Sequence, residues 1–322
     1  MSFSGNVKEE LAKQEPTARH CQIAELASIL HFCGNCIEPV FLGKSAQNKI
    51  ENPGKIRIQA ENEAVVRKCF TLLKKTFNIN TSVSLKNPGS TASYSIMLAK
   101  PDEVRQVLLT TKFMDSRGDC RNLRETVSSI LIKNACCQRA FLRGAFLASG
   151  SMSDPEKSYH LEIVCTQLSQ AKQIQSILQG FGLEAKIVQR KKYQIVYMKD
   201  GTGIADFLNI VEAHVSLMQF ENYRILKEMR NSVNRRVNCE TANIGKTVSA
   251  SSRQVEDILF LQQKAALANL PDNLREMAEI RLAYPDAPLR ELGGYLNPPV
   301  GKSGVNHRLR KLSELADSLR NG

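Results

Sequence analysis

Residues 302–311 carry the side chains with the clearest chemistry in this sequence. The segment reads KSGVNHRLRK and contains four cations and no acid. Amide and guanidinium groups can each make two hydrogen bonds to one base edge in the DNA major groove, whereas cations bind the phosphates. We therefore expect Asn306, His307 and Arg310 to read base edges. The other predicted DNA contacts, mainly to phosphates, are Lys302, Ser303, Arg308, Lys311 and Arg290.

Two apolar stripes at helical spacing predict the elements that position those side chains. The first stripe consists of Leu289, Leu292 and Leu296, and the second of Val305, Leu309, Leu312, Ala316 and Leu319. Between them, Pro298 and Pro299 end the first helix, because proline lacks an N–H and blocks the helical conformation of the preceding residue. The pattern predicts a helix-turn-helix over residues 289–319. The alternative is a C-terminal helix whose basic face is simply solvated, which would be the simpler explanation of a basic helix without a paired helix.

The whole chain is basic, which restricts the class of partner. Its 322 residues carry a formal net charge of +12, with +5 in residues 222–322 and +7 in residues 1–221. This charge favours a polyanion, either nucleic acid or an anionic membrane surface. No apolar run reaches the roughly 18 residues that span a bilayer, and the polar N-terminus is unlike a signal peptide. Nine cysteines without such a signal then favour a reducing compartment, so we expect a cytoplasmic, nucleoid-associated protein.

The first two-thirds of the chain contains an internal repeat. Residues 21–34, CQIAELASILHFCG, align with residues 137–150, CQRAFLRGAFLASG, at a constant offset of 116. Each segment has the pattern of a helix that ends at glycine, and we expect that glycine to adopt the left-handed cap conformation. Small residues predict that the two helices pack closely, namely Ala27, Ser28, Gly144 and Ala145.

The segments that follow the two repeat helices are similar in kind. In the first copy, strands are predicted at residues 38–42, 55–60, 81–86 and 94–99, and helices at 65–73 and from Pro101. In the second copy, strands are predicted at 159–166, 185–190 and 193–199, and helices at 169–181 and from Thr202. The sequence does not determine whether one or two strands precede the helix at 169–181. Both orders are close to αββαββα, which predicts an α+β fold with the two repeats paired in one saddle. The predicted domains are residues 1–125, 126–220, a basic linker at 221–245, and an all-α domain at 246–322.

The repeat helices resemble the LAGLIDADG motif of homing endonucleases. Residues 142–150, LRGAFLASG, match that motif at the first, third, seventh and ninth positions, and residues 26–34, LASILHFCG, match it more weakly. In those enzymes, an acid before the final glycine of each helix binds the divalent metal that activates water. Cys33 and Ser149 occupy these positions here, and neither suits a hard cation such as Mg²⁺. The sequence therefore predicts an endonuclease scaffold without the metal-binding acids, and hence no enzyme.

Other constellations of reactive residues favour structural roles. Cys33 and Cys36 form a CxxC at the end of a predicted helix, with His31 nearby, but zinc sites usually need a second pair at matched spacing. The adjacent Cys136 and Cys137 do not have that spacing. The spacing of His20, His160 and His214 along the chain does not by itself pair any of them with a Ser, Cys or acid, so a structural role is expected for each. We therefore expect no metal and no cofactor.

A basic helix is predicted just before the C-terminal domain. This linker helix covers residues 221–236. We expect its arginines Arg230, Arg235 and Arg236 to contact DNA phosphates. A solvated connecting helix is the alternative. Further helices are predicted at residues 252–268 and 273–283.

Three segments resemble signatures of the WhiA family, namely RVNCETAN at 236–243, LRELG at 289–293 and KSGVNHRL at 302–309. The resemblance covers nearly the whole chain. It implies a degenerate LAGLIDADG domain joined to a helix-turn-helix similar to region 4 of sigma factors, together with DNA binding. It also implies a role in sporulation, or in cell division and chromosome segregation.

The sequence thus leads to the hypothesis of a non-enzymatic regulator that binds double-stranded DNA sequence-specifically. The helix-turn-helix would choose the sequence, and the saddle or linker would add affinity. With both repeats in one chain, we expect a monomer in solution and a protein partner in the transcription machinery. The alternatives are a LAGLIDADG-type endonuclease or RNA maturase, and a saddle that binds protein rather than DNA. Four cations on one helix predict a slope of log K against log[salt] of about −3.5.

Overall fold

The structure is a computed structural model that describes residues 2–37, 40–41, 50–52, 54–86 and 93–321. The chain divides into two compact units, Met1–Lys227 and Glu228–Gly322. The domain boundaries predicted at residues 125, 220 and 245 stay predictions. Among the described residues, no helix has the length and apolar character that crossing a bilayer requires.

The first unit contains two copies of one α/β arrangement. Its first half consists of α1 (Phe3–Lys13), α2 (Arg19–Cys33), β1 (Gly34–Ile37), β2 (Val40–Phe41), β3 (Ile50–Asn52), β4 (Lys55–Ala60), α3 (Glu63–Phe77), β5 (Val83–Lys86), β6 (Ser93–Leu98) and α4 (Pro101–Thr110). Its second half consists of α5 (Ala135–Ser149), β7 (Gly150–Met152), β8 (Leu161–Cys165), α6 (Leu168–Gly180), β9 (Lys186–Arg190), β10 (Tyr193–Met198) and α7 (Gly201–Ile210). Antiparallel sheets form in the orders β1-β4-β6-β5 and β7-β8-β10-β9. This matching strand order confirms the predicted repeat.

The two repeat helices, α2 and α5, begin and end 116 residues apart, as the sequence alignment requires. They pack against each other at their small residues. A Cβ added to Gly144 of α5 would lie 2.7 Å from the carbonyl oxygen of Glu25 and 2.8 Å from Cβ of Ser28, both on α2. The predicted close approach of the two helices is therefore confirmed, because no larger side chain fits at Gly144 without displacing backbone.

The glycines that end these helices have a different role from the one predicted. Gly34 has φ −82° and Gly150 has φ −79°, so both are extended and neither is a left-handed cap. A Cβ on Gly34 would lie 2.4 Å from the carbonyl oxygen of Leu30, and one on Gly150 would lie 2.7 Å from Cα of Phe146. Glycine is required because the next strand begins immediately and passes close to the last turn of the helix.

The strand predicted at residues 38–42 is present in part, as Val40–Phe41, but the direct passage from helix to strand adds an earlier strand that was not predicted. The first strand of the sheet is β1, with Gly34 paired to Ile58 and Ile37 to Lys55 of β4. Val40–Phe41 instead pairs with Ile50–Asn52 in a separate two-stranded sheet, while residues 38, 39 and 42 lie outside the described residues. In the second copy, two strands, β7 and β8, precede the helix α6, which settles the strand count that the sequence does not determine.

A charged pair is buried between α2 and α3. Nζ of Lys68 lies 3.1 Å from Oε1 of Glu25, and the two side chains are 1% and 0% exposed. Lys68 also donates hydrogen bonds to the carbonyl oxygens of Leu11 and Gln14. Desolvation lowers the pKa of Lys68 and raises the pKa of Glu25. Each charge thus depends on the other in a setting that otherwise disfavours both.

The boundary between the units falls within α8 (His214–Gln263), a single helix that includes the predicted helical residues 221–236 and most of 252–268. The second unit continues with a 3₁₀ turn (Ala266–Asn269), α9 (Asp272–Ala283), α10 (Leu289–Tyr295) and α11 (Lys302–Asn321). Its core comprises Ile258, Leu261, Leu274, Met277, Ala278, Leu292, Leu296, Val305, Leu309, Leu312 and Ala316. The helices predicted from residue periodicity in this part of the chain are thus present and packed together.

Candidate nucleic-acid interface

The helix-turn-helix predicted over residues 289–319 is formed by α10 and α11. Four residues of the predicted stripe on α11 are buried, namely Val305, Leu309, Leu312 and Ala316. Leu319 is 48% exposed, which corrects its predicted place in the stripe, because it lies in the last turn beyond the core. The buried stripe fixes the rotation of α11 and therefore determines which side chains face solvent.

The turn between α10 and α11 depends on a close backbone contact. The N–H of Val300 donates to the carbonyl oxygen of Gly293 at 2.9 Å, and a Cβ on Gly293 would lie 2.0 Å from the carbonyl oxygen of Val300. Glycine at 293 therefore permits the chain to fold back over α10. α11 then begins at Lys302, with the N–H of Val305 bonded to the carbonyl oxygen of Gly301.

Most of the predicted DNA-contacting residues lie on the exposed face. Six of the predicted residues on α11 are exposed, namely Lys302, Ser303, Asn306, His307, Arg310 and Lys311, as is Arg290 on α10. Nε of Arg310 donates to Oε1 of Glu314 at 2.8 Å, with the two side chains 76% and 58% exposed. An ion pair at this exposure contributes little stability, so Arg310 can exchange Glu314 for another acceptor at small cost.

Arg308 is placed differently from the other cations of α11. Its side chain is 20% exposed, and Nη1 lies 3.9 Å from Oε2 of Glu276 and 3.4 Å from the carbonyl oxygen of Asn273. Both partners belong to α9. The helical pattern of the sequence placed Arg308 at the edge of the polar face, but only the packing of α9 shows that its guanidinium is already engaged.

The linker arginines lie on an exposed stretch of α8. Arg230, Arg235 and Arg236 are exposed, as is every residue from 228 to 250. Their predicted phosphate contacts stay predictions.

The degenerate metal positions at the ends of α2 and α5 are turned toward helix backbone. Oγ of Ser149 donates to the carbonyl oxygen of Ala145 at 3.2 Å, and Sγ of Cys33 is 3.9 Å from the carbonyl oxygen of Ala148. Burial raises the pKa of the Cys33 thiol to about 11, which disfavours the thiolate. The geometry therefore provides no ligand for a hard cation from either residue.

The structure supports the predicted structural role of some histidines but not the predicted isolation of all of them. His31 is buried, with Nδ1 2.6 Å from the carbonyl oxygen of Leu123, and it therefore has a structural hydrogen bond. His160 lies 3.1 Å from Glu162, a pairing that the sequence analysis did not identify. The interpretation of His20 as isolated is wrong, because its Nδ1 lies 3.2 Å from Sγ of Cys137. Sequence spacing missed this contact because the two residues are 117 positions apart.

Comparison with known proteins identifies the family. Residues 19–114 match the WhiA N-terminal LAGLIDADG-like domain, residues 138–230 the WhiA LAGLIDADG-like domain, and residues 233–316 the WhiA C-terminal HTH domain. The chain belongs to the WhiA family. A WhiA relative from Lachnoclostridium phytofermentans, named "Probable cell division protein WhiA", is 51% identical over 99% of this chain and 100% of its own length. One of the same name from Clostridium botulinum strain Hall is 43% identical over the full length of both chains.

A solved WhiA structure supports the fold over the full length. The crystal structure of full-length DUF199/WhiA from "Thermatoga maritima" has a TM-score of 0.57 at 24% identity and covers 99% of both chains. Together with the matched domains, it confirms the predicted fold class, a LAGLIDADG-like α+β part followed by a helical helix-turn-helix part.

Proposed function

We propose that this WhiA protein is a non-enzymatic, sequence-specific regulator that binds double-stranded DNA through α11. The observation that carries the proposal is the exposed face of α11, where Asn306, His307 and Arg310 stand among cations on a helix held by a buried stripe. A helix of this kind fits the major groove, and its amide and guanidinium groups match base edges there.

The contacts divide into two classes. Asn306, His307 and Arg310 would choose the sequence, whereas the remaining exposed cations would bind phosphates and set the register. Arg308 would either leave Glu276 to reach a phosphate or keep α11 in place against α9. The arginines of α8, Arg230 to Arg236, would add affinity without sequence preference.

Replacing Asn306 or Arg310 with alanine is expected to weaken binding to the preferred site by about 5- to 150-fold, with a smaller effect on unrelated DNA. The preferred site is first selected by the full chain from random duplexes, and affinities are then measured by fluorescence anisotropy. Ser318→Ala is the matched control, because Ser318 is exposed on the same helix but lies about two turns beyond Arg310 and about three beyond Asn306. Equal losses on preferred and unrelated DNA for both variants would contradict base reading.

The name of the relatives supports a cellular role in division. We infer that binding controls genes of cell division, chromosome segregation or sporulation, and that the protein locates to the nucleoid and works as a monomer with the transcription machinery. Genome-wide crosslinking of the chain to DNA, repeated with Asn306 and Arg310 replaced, would test this. Peaks that persist in the double variant would rule out α11 as the selective element.

The rival function is an endonuclease that uses the LAGLIDADG-like part. Because Cys33 and Ser149 offer no carboxylate, we expect no Mg²⁺-dependent conversion of supercoiled plasmid to nicked circles. The assay compares Mg²⁺ and Mn²⁺ with EDTA at increasing protein concentration. Nicking that requires the metal and increases with protein would show that acids elsewhere in the fold bind it.

A further inference from the structure

Four metal-ligating side chains meet at the first turns of α2 and α5. His20 and Cys21 belong to α2, and Cys136 and Cys137 belong to α5; we name these four residues the first-turn cluster. Their ligand atoms all lie within 4.8 Å of one another. Nδ1 of His20 lies 3.2 Å from Sγ of Cys137 and 3.3 Å from Sγ of Cys21. Within the described part of the chain, this is the one such group of histidine, cysteine and acidic residues.

The repeat places the two ligand pairs at equivalent positions. His20 corresponds to Cys136 and Cys21 to Cys137 at the same offset of 116 that relates the two helices. Each pair therefore occupies the second and third residues of its helix. Two pairs related in this way converge on a common point when their helices pack together, which explains how residues so distant in sequence form one cluster.

We propose that the first-turn cluster binds one Zn²⁺ ion through three cysteines and one histidine. Zinc prefers four tetrahedral nitrogen and sulfur ligands, and Zn–S bonds of about 2.3 Å place neighbouring sulfurs about 3.8 Å apart. The ligand atoms of the cluster, all within 4.8 Å of one another, therefore exceed that separation by about 1 Å at most. Four protein ligands leave no open position, so the ion would be structural rather than catalytic.

The positive N-termini of α2 and α5 stabilise the negative charge that such a zinc site would carry. Both helices have their positive N-termini at the cluster, and neither N-cap residue, Ala18 or Asn134, makes a side-chain cap hydrogen bond. Three thiolates, one neutral imidazole and Zn²⁺ carry a net charge of −1, which helix N-termini stabilise. The exposed ligands His20 and Cys136 border an open cleft that gives the ion an entry path.

Zinc binding requires the three thiols of the cluster to lose their protons. Burial, and after it the neighbouring Cys136 and Cys137, raises the pKa of Cys21 to about 12, and burial also raises the pKa of Cys137. On binding, three S–H bonds give way to three Zn–S bonds and three protons pass to the buffer, while His20 donates its neutral Nδ1 lone pair. Zinc affinity should therefore increase with pH.

The ion would join the two repeats at one end of their helices. The cluster lies 12 residues, roughly 18 Å, before Cys33 and Ser149 along each helix. The acids of an endonuclease site are thus missing at one end, while a soft-metal ligand set is present at the other. Because α2 comes from the first repeat and α5 from the second, zinc would hold the two repeats together.

The test uses the full chain without a histidine tag, purified under reducing conditions. We expect one zinc per chain by mass spectrometry of the elements, and Co²⁺ substitution should give the visible bands of tetrahedral thiolate coordination. In competition with a chromophoric chelator, Cys136→Ser and His20→Gln should bind zinc more than about ten-fold more weakly. Both replaced residues are exposed, which favours retention of the fold.

Cys36→Ser and Cys239→Ser are the matched controls, because both residues are exposed free cysteines outside the cluster. Zinc should raise the melting temperature of the wild-type chain and of both controls but not that of Cys136→Ser. The proposal is wrong if the reduced chain retains no zinc after incubation and desalting. It is also wrong if only Cys36→Ser loses the metal, or if the cluster forms a disulfide and the reduced thiols take up no zinc. DNA affinity of α11 variants is measured separately, so failure here leaves the proposed function intact.

Discussion

Replacing Lys68 with methionine is expected to lower the free energy of unfolding of the first unit by about 3–5 kcal/mol. Methionine fills much of the volume of lysine but leaves the buried carboxylate of Glu25 without its main counter-charge, since Arg143 acts on it more weakly than Lys68. Urea unfolding followed by hydrogen exchange of peptides from α2 and α3 measures this unit separately from the second. Lys74→Met is the control, because Lys74 is exposed on the same helix and should change the unfolding midpoint little.

The acid–base behaviour of Glu25 sharpens this prediction. Desolvation raises its pKa even with Lys68 present, and removal of Lys68 raises it further. Because its pKa is higher in the folded state, the carboxyl of Glu25 takes up a proton at a higher pH in the folded chain than in the unfolded chain. The free energy of unfolding therefore increases as pH falls from the raised pKa toward the ordinary value of 4.5. The deficit of Lys68→Met should therefore shrink in mild acid. Adding Glu25→Gln should recover part of the loss at neutral pH, and a double variant as unstable as the single one would contradict the explanation.

The repeat and the helix-turn-helix could be predicted because both depend on local periodicity. The apolar stripe of α11 and the alignment of residues 21–34 with 137–150 are visible in the sequence without knowledge of packing. β1 and β7 could not be predicted in the same way. They have four and three residues, too few for alternation to show, and they begin directly at Gly34 and Gly150, which the sequence pattern marks only as the ends of helices.

The first-turn cluster shows where spacing along the chain is insufficient. At short intervals along the sequence, the CxxC of Cys33 and Cys36 is the pattern that resembles a zinc site, but the structure brings together two pairs from the two repeats. The signal was present in the alignment, in which Cys21 coincides with Cys137. It becomes interpretable only once α2 and α5 are known to pack side by side.

Arg308 likewise required tertiary structure. Residues 302–311 place four cations on α11, but the packing of α9 engages one of them, Arg308, with Glu276. Because Arg310 is proposed to read bases, the cations of this segment left to bind phosphates are Lys302 and Lys311, without Arg308. This difference is measurable because salt dependence counts phosphate contacts.

Raising salt from about 50 to 200 mM is expected to weaken DNA binding by roughly 12-fold through α11 alone, because the two phosphate contacts of Lys302 and Lys311 give a slope of about −1.8. Lys311→Ala should make the slope of the full chain shallower by about 0.9. Glu276→Gln frees Arg308 and should make it steeper by a similar amount. Glu279→Gln removes the same charge from an exposed site on α9 and should leave the slope nearly unchanged. Equal slopes for both glutamine variants would show that Arg308 does not reach a phosphate when released, and would assign it to holding α11 against α9.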